Sequence, residues 1–277
     1  MRSKAPEKTV STAPFNIQTV QRWRSGSLSL AQDRLAEEVP IALCYNSVSH
    51  LVMMASPIDL EDFALGFSLS EGILESADEL YGVELRHHTE GIELNLSIPA
   101  RRERNLKQRS RNLTGRTGCG LCGIDSLHNA IRPLTPIQVI PAPTDKAIQQ
   151  AVAQLETRQP LNQQTGAVHA AAWCSAEGDI KLLREDVGRH NALDKLIGAR
   201  LRQGSDQDQS QNRNQGFLLI SSRASYEMVH KTVTAGIHCL VAVSAPTALA
   251  IRLAKQAGLN VIGFARPTSH VNYSGFD

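Results

Sequence analysis

The clearest hydrophobic pattern in the chain is a pair of apolar segments separated by a short polar turn. Val39–Tyr45 and His50–Ala55 are mainly apolar, and Asn46-Ser47 lies between them. Because short apolar runs joined by a turn are typical of antiparallel strands, this pattern predicts a β-hairpin. Two more short runs, near 83–86 and 92–98, predict further strands.

A helical pattern follows the hairpin. Ser56 is followed by Pro57, a pair that suits the cap and the first residue of a helix. Apolar residues then recur at helical spacing, namely Leu60, Phe63, Ala64 and Phe67. We therefore predict a helix that begins at this pair and runs to about Gly72.

The second half of the chain alternates between strand and helix patterns. Thr144 can cap a helix that ends near Thr157, and a hairpin and a helix at 191–201 follow. The hairpin is predicted at 170–174 and 180–184, and the later strands at 217–221, 239–243 and 261–265, with helices at 224–235 and 246–257 between them. Alternation of this kind predicts an α/β layer with parallel strands.

These patterns predict two subdomains and a tail. Residues 1–18 carry Pro, Ser, Thr and Lys without periodicity and are predicted to be a disordered tail. Prolines at 133, 136, 141 and 143 mark a connector, which places a boundary near residue 135. We therefore predict a β-rich N-terminal subdomain over 19–135 and a C-terminal α/β subdomain over 136–277, with a polar surface loop at 204–215.

Composition narrows the class of protein. The 277 residues are 42% hydrophobic and 20% charged, as in ordinary globular domains, and the net charge of +2 is too small to indicate general nucleic-acid affinity. The first 21 residues contain no apolar signal region, and no apolar run is long enough to cross a membrane. We therefore expect a cytoplasmic protein with no nucleic-acid or membrane partner.

The chain has five cysteines, an odd and sparse set that argues against a secreted disulfide scaffold. Cys44 and Cys239 lie inside apolar runs, and Cys174 follows a tryptophan, so all three are predicted to be core residues. The other two, Cys119 and Cys122, form a Cys-x-x-Cys pair.

Glycines surround this pair, since Gly115–Gly123 contains four of them. Such a density argues against a helix or strand and for a loop. A nearby cation such as Arg116 lowers the pKa of a thiol, and the thiolate is the reactive form. The pair therefore suggests redox or sulfur chemistry. A structural zinc site is the alternative, although zinc needs four ligands and no second Cys-x-x-Cys exists.

Polar residues follow three of the predicted strands. They are Ser221-Ser222-Arg223, Ser244–Thr247 and Gly263–Arg266. Because ligands in open α/β sheets bind at the carboxyl ends of the strands, we expect these segments to form one phosphate-binding site. Phe264 offers a ring for stacking. Ordinary helix caps, a surface arginine and a core phenylalanine are the alternative for the same residues.

Two histidines are further candidates. Asp186 can either orient His190 or cap the following helix, and a cap is the commoner fate. His169 leads an apolar strand, where a half-buried, satisfied histidine is the simpler interpretation.

A zinc-dependent deaminase is an alternative function. Zinc deaminases carry a His-x-Glu motif followed by Pro-Cys-x-x-Cys, and His88-Thr89-Glu90 precedes Cys119 and Cys122 in that order. However, Gly118 replaces the proline, and Thr89-Glu90-Gly91 is predicted to be a turn between strands rather than part of a helix.

Several of these segments together resemble the FdhD family of formate dehydrogenase accessory sulfurtransferases. The resemblance spans about residues 20–270. Its motifs are the segments 37–43, 53–57 and 63–67, the glycine-rich segment 115–123, His169-Ala170-Ala171, Glu185 through Lys195, and Ser221 through Met228.

The resemblance implies a cytidine-deaminase-like α/β fold with a mixed sheet flanked by helices, and a homodimer. It implies that a cysteine desulfurase loads a persulfide on Cys119, and that the sulfur passes to the molybdenum bis-guanine-dinucleotide cofactor of formate dehydrogenase. The role of Cys122 in this catalytic pair stays open: it holds, resolves or merely accompanies the persulfide. The cofactor-binding segment corresponds to Phe264, Ala265, Arg266, Pro267, Thr268 and Ser269. Ser222 and Arg223 suit the phosphates, and GDP is the expected analogue of one end of the cofactor.

Overall fold

A computed structural model describes residues 10–114, 132–204 and 215–274. The N-terminal part contains a separate two-stranded hairpin and a four-stranded sheet in the order β4-β3-β6-β5. Its elements are β1 (Phe15–Arg24), β2 (Ser27–Ala36), β3 (Val39–Tyr45), β4 (Val48–Ala55), α1 (Leu60–Ser70), β5 (Gly82–His87), β6 (Ile92–Ser97) and α2 (Ala100–Thr114).

The predicted hairpin β3–β4 is confirmed. Asn46 and Ser47 both have positive φ, as a tight two-residue turn between strands requires. β3 also pairs with β6 in parallel, and this register places Ile41, Leu43 and Tyr45 opposite Ile92, Leu94 and Leu96. One face of the sheet therefore forms a core with α1.

The C-terminal part is a six-stranded mixed sheet in the order β12-β11-β10-β9-β7-β8. The strands β9, β10 and β11 are parallel, as predicted, and β7 and β8 form an antiparallel hairpin. The elements are α3 (Asp145–Leu155), α4 (Pro160–Thr165), β7 (His169–Ser175), β8 (Ile180–Asp186), α5 (Arg189–Gly204), β9 (Gly216–Ile220), α6 (Tyr226–Thr234), β10 (Cys239–Ala242), α7 (Ala248–Ala257), β11 (Asn260–Arg266) and β12 (Ser269–Asn272).

Helices cover both faces of this sheet. Alternate strand residues such as Leu218 and Ile220 face α5, α6 and α7, whereas Phe217 and Leu219 face α3. A strand that is buried on both faces consists of a nearly continuous apolar run, and for this reason the sequence pattern predicted these strands. The predicted α/β class, a mixed sheet flanked by helices after a β-rich N-terminal part, is confirmed.

Two glycines bring α1 and α5 into backbone contact. A Cβ added to Gly66 would lie 1.7 Å from the carbonyl oxygen of Asp194, and one added to Gly198 would lie 1.9 Å from that of Asp62. No side chain fits at either position. This contact holds the N-terminal sheet, through α1, against the helical face of the C-terminal sheet.

The predicted start of α1 is wrong. The helix begins at Leu60, after Asp59 in a left-handed conformation, and not at Ser56 and Pro57. The Ser56 hydroxyl accepts a hydrogen bond from the amide of Val187 (3.1 Å), so it does not cap the helix. The helix ends at Ser70, two residues before the predicted end.

Other differences concern segments without a strong apolar pattern. β1 begins at Phe15, so the predicted disordered tail is wrong for Phe15–Gln18. The hairpin β1–β2, the short helix α4 and the strand β12 were not predicted. The Cys-x-x-Cys segment, residues 1–9 and most of the predicted polar loop (205–214) lie outside the described residues. The subdomain boundary at 135 stays a prediction. Within the described residues, no helix is long and apolar enough to cross a membrane.

Candidate functional site

The polar segments after β9, β10 and β11 lie side by side, as predicted. The Phe264 amide donates to the Ser244 carbonyl (3.1 Å), and the Ser244 amide donates to that of Ser222 (3.4 Å). Ala224 and Pro246 form a parallel bridge just beyond them. The three segments therefore form one continuous edge, which we call the carboxyl edge of the sheet.

The side chains at this edge have different environments. Arg223 and Phe264 are exposed, whereas Ser222 is buried and its hydroxyl donates to the Arg223 carbonyl (3.2 Å). Phe264 also has a φ of +50°, a left-handed conformation that a bulky residue rarely adopts. Such conformations cluster at functional sites because the surrounding structure must hold them.

The rest of the predicted cofactor segment forms the turn between β11 and β12. Ala265 is buried, Pro267 and Thr268 make the turn, and Ser269 begins β12. The Arg266 guanidinium donates to the carbonyls of Val243 and Ala265. Because these bonds are to neutral carbonyls, the positive charge of Arg266 stays available to an anion at this edge.

Three helices begin at the carboxyl edge. α5, α6 and α7 each follow a strand that ends there, so their free backbone amides face the same side of the sheet. Thr247 caps α7 by accepting from the Ala250 amide (3.2 Å). By contrast, Ser225 precedes α6 without capping it, and its buried hydroxyl has no hydrogen-bond partner in the described chain. The buried Nε of Arg189, at the start of α5, has no such partner there either.

His169 lies at the same edge, between β8 and β9. Its Nδ1 is 3.4 Å from the Ser221 hydroxyl, which accepts from the Ala170 amide (2.9 Å). Burial, with a contribution from Arg189, lowers the pKa of His169. The predicted half-buried, satisfied histidine is confirmed.

A polar cavity that sequence reasoning missed lies beside the start of α6. It has a volume of about 280 Å³. Its lining residues are Met53, Phe67, Glu71, Arg132, His190, Asp194, Tyr226, Glu227, His230 and Lys231. We call it the α6 cavity.

A buried lysine forms the floor of the α6 cavity. The Lys231 ammonium donates to Ser70 Oγ (2.9 Å), to Glu71 (2.9 Å) and to both oxygens of Asp194 (3.0 Å each). Burial opposes its charge, but Asp194 and Glu71 outweigh that effect and raise the pKa of Lys231. One feature of the sequence could have indicated this network: Lys231, next to Thr232, lies on the apolar face of the helix.

Two histidines line the same cavity. His190 Nε2 lies 2.6 Å from a Glu227 carboxylate oxygen, but the contact is not aligned as a hydrogen bond. Burial lowers the pKa of His190 despite Glu227, and burial together with Arg132 lowers the pKa of His230. Both imidazoles are therefore mainly neutral at pH 7 and can accept a proton.

Asp186 does not contact His190. Its carboxylate accepts from the Gly188 amide (2.7 Å) and the Asn191 side chain (3.0 Å), and it forms a fully buried ion pair with Lys195 (2.6 Å). Of the two predicted roles, Asp186 comes closer to the cap, because it orders the turn that opens α5.

The deaminase alternative rests on residues that the structure places at a turn. Thr89-Glu90 forms a bend between β5 and β6, as predicted, and His88 Nε2 lies 3.7 Å from Glu93. Among the described residues, no group of three His, Cys, Asp or Glu side chains can hold a metal ion. Cys119 and Cys122 lie outside those residues, so elemental analysis of the purified protein is the test of this alternative.

Known proteins are similar in sequence to this chain over nearly its whole length. The model of the FdhD/NarQ family matches residues 36–277. The chain belongs to this family. A "sulfur carrier protein FdhD" from Cupriavidus necator is 52% identical over 255 residues, which covers 92% of this chain and 86% of the relative. One from Xanthomonas euvesicatoria pv. vesicatoria is 51% identical over 93% of this chain and 90% of the relative.

The fold is also known from a solved structure. A crystal structure assigned to a formate dehydrogenase accessory protein from Desulfotalea psychrophila matches with a TM-score of 0.73. It covers 95% of this chain and 98% of that one at 21% sequence identity, so it supports the fold alone.

Proposed function

We propose that this FdhD/NarQ protein is a sulfur carrier for formate dehydrogenase that holds sulfur as a persulfide on Cys119. The observation that carries the proposal is the identity of about half of all residues with proteins named sulfur carrier protein FdhD, over 92% of the chain. In the loading step, the Cys119 thiolate attacks the outer sulfur of a persulfide on a cysteine desulfurase. The desulfurase thiolate leaves, so the sulfur–sulfur bond is exchanged without net oxidation.

The environments of the described cysteines support this choice. Cys44, Cys174 and Cys239 are free thiols that are buried. Burial raises the pKa of all three, that of Cys174 to about 12, so none forms a thiolate readily at neutral pH. Cys119 and Cys122 remain, in a segment whose glycines and Arg116 suit a reactive thiol.

The proposed acceptor of the sulfur is the molybdenum bis-guanine-dinucleotide cofactor, bound as a substrate at the carboxyl edge. The exposed guanidinium of Arg223, the charge of Arg266 and the amides at the helix starts suit its phosphates. The exposed ring of Phe264 suits a guanine base. In this role Ser222 shapes the loop, and Ala265 through Ser269 present the turn beside the nucleotide.

Release of the sulfur requires electrons, and the Cys122 thiol is able to supply them. The outer sulfur of a persulfide needs two electrons to leave as sulfide. If the Cys122 thiol attacks Cys119, a Cys119–Cys122 disulfide forms and the outer sulfur leaves with the two electrons and a proton. The neutral imidazoles of the α6 cavity are suitable acceptors for a thiol proton, and Arg132, where the described chain resumes after this segment, lies on the cavity wall.

Transfer of radiolabelled sulfur tests the proposal. The protein is incubated with a cysteine desulfurase and labelled cysteine, and label is expected on wild type and on Cys44→Ala but not on Cys119→Ala. Formate dehydrogenase activity in a strain that lacks this gene should follow the same pattern. Unchanged labelling of Cys119→Ala would refute the assignment of the persulfide, and rescue by a Cys119→Ala, Cys122→Ala protein would indicate a chaperone without sulfur chemistry.

A further inference from the structure

The net positive charge of this chain is concentrated in the helix α2. The helix holds six of the 29 basic residues of the chain but only one of its 27 acidic residues, Glu103. The chain outside α2 therefore has more acidic than basic residues, although the net charge of the whole chain is +2. Like charges three or four residues apart destabilise a helix, so this concentration does not serve the stability of α2.

One side of α2 is anchored to the N-terminal sheet and its core. Arg102 is buried, and its guanidinium donates to Glu79 (2.9 Å) and to Glu75 (2.7 Å). Leu106, one turn later, packs against the core. Together with Glu103, the two acids balance only three of the six basic residues of α2. The helix is therefore held in a fixed orientation and keeps an excess of positive charge.

The opposite side of α2 is exposed, and we call it the basic side of α2. It is formed by Arg101, Arg104 and Lys107, which lie three residues apart and are all exposed. Arg101 pairs with Glu79, and Lys107 pairs with Glu103. Arg104 has no acidic partner among the described residues. The anchored side thus turns these cations toward solvent, where they are accessible to an acidic partner.

A cavity lies beside the basic side of α2, and we call it the α2 cavity. Its volume is about 320 Å³, which is large enough for one leucine or phenylalanine side chain. Val48, Leu106 and the ring of His50 supply apolar wall. The acid that lines it, Glu103, is paired with Lys107, another lining residue. A partner bound to the basic side therefore has an apolar socket within reach.

We propose that the basic side of α2 and the α2 cavity form the docking surface for the protein that donates sulfur. The docked part of the donor is an acidic segment with one large apolar side chain. The cations attract the acidic segment, and the cavity receives the apolar side chain as an anchor, in the usual layout of an apolar centre with a polar rim. The inference rests on the proposed function, because the docked donor must bring its persulfide to Cys119.

Position along the chain favours the sulfur donor over other partners. Leu106 lies eight residues before Thr114, the last residue of α2, which is about 12 Å along the helix. Cys119 follows five residues later, at most about 18 Å further. An interface of standard size, about 800 Å² on each partner, is about 30 Å across. A donor docked on α2 therefore covers the region that Cys119 can reach, whereas the proposed acceptor site at the carboxyl edge lies on the C-terminal sheet.

Labelling of Cys119 at varied desulfurase concentration tests the docking surface. The α2 variant Arg104→Glu, Lys107→Glu should need at least about tenfold more cysteine desulfurase for the half-maximal rate, because reversed charges slow association. The rate at saturation should stay near that of wild type, and high salt should shrink the difference. The control variant Arg158→Glu, Lys181→Glu reverses two exposed charges of the C-terminal part and should behave as wild type.

The variant Val48→Lys separates the cavity from the charge. It adds a cation that favours an acidic partner but replaces apolar wall, so loss of the anchor should make the desulfurase dissociate about tenfold faster in surface plasmon resonance. Circular dichroism of every variant should match wild type, because Val48, Arg104 and Lys107 are all exposed.

Several results would overturn the docking surface. They are an unchanged half-saturating concentration for the α2 variant, a loss that high salt does not reduce, and unchanged dissociation of Val48→Lys. An α2 variant that takes up sulfur normally but loses nucleic-acid binding or formate dehydrogenase activation would assign the surface to another partner and overturn it too. Absence of label on wild type would refute the sulfur carrier itself and this inference with it. A labelled wild type with an unaffected α2 variant would refute the docking surface alone, so the two failures are distinguishable.

Discussion

We predict that the buried ion pair between Lys195 and Asp186 stabilises the fold and takes no part in sulfur transfer. Both side chains are fully buried, with 2.6 Å between Lys195 Nζ and Asp186 Oδ2. The pair joins the two halves of the chain, because Lys195 also donates to the Ser56 carbonyl (3.0 Å) and Asp186 accepts from the Ser56 amide (3.0 Å). Lys195→Met keeps a similar volume but removes the charge and the hydrogen bond to the Ser56 carbonyl.

The loss of unfolding free energy expected for Lys195→Met depends on the hydrogen bonds that Asp186 keeps in the variant. Removing one partner of a buried pair typically costs about 3–5 kcal/mol, because the other charge is left uncompensated. In Lys195→Met the carboxylate still accepts from the amides of Ser56 and Gly188 and from Asn191. We therefore expect the lower end of this range, about 3 kcal/mol. Since a domain is typically stable by about 5–15 kcal/mol, the variant should remain folded at 25 °C.

Urea unfolding at pH 7 measures this loss as a lower transition midpoint. The double variant Lys195→Met, Asp186→Asn is the control, because it removes both charges and should be destabilised by less than the sum of the single variants. Labelling with desulfurase should be unchanged in folded Lys195→Met. A loss below about 1 kcal/mol, or lost labelling in a variant whose stability is unchanged, would refute the structural role.

Three other outcomes follow from the structure. Gly66→Ala should lower the unfolding free energy by at least about 3 kcal/mol in urea titration, whereas Gly82→Ala, which meets no atom, should not. Burial lowers the pKa of His190 and His230 in the folded protein, so the unfolded chain binds more protons below pH 6.5. The stability of the wild type should therefore fall as the pH is lowered from 7 to 5. Thermal unfolding should show a less steep fall for the double variant His190→Gln, His230→Gln. Calorimetry should show that Arg223→Ala binds GDP about tenfold to a hundredfold more weakly than wild type, and equal affinity would remove Arg223 from the site.

Hydrophobic periodicity predicts the parts of the fold that depend on local pattern. Val39–Tyr45 was predicted with its observed bounds, and the parallel strands followed from apolar runs. Apolar runs of this kind are therefore enough to place the three strand ends together. The start of α1 could not be placed in this way, because Ser56 is a good cap in isolation and only the distant Val187 amide takes its hydroxyl away.

Non-local contacts explain what the sequence did not reveal. Glu71, Asp194 and Lys231 meet only because two glycines allow α1 and α5 to touch, and no spacing along the chain encodes that contact. The β1–β2 hairpin was missed for a different reason. Its strands are mostly exposed, and polar residues interrupt the apolar ones on both strands. The sequence therefore shows no clear apolar pattern there.

The helix α6 connects the two candidate sites. Arg223 and Ser225 precede it at the carboxyl edge, while Glu227 and Lys231, on its first turns, line the α6 cavity. A phosphate bound at the start of this helix would therefore lie within one or two helical turns of the buried Lys231 network. The proposed function thus uses two sites that both lie close to the start of the same helix. The buried network of Glu71, Asp194 and Lys231 holds α6 in place, and a rigid helix start keeps both sites in a constant relation.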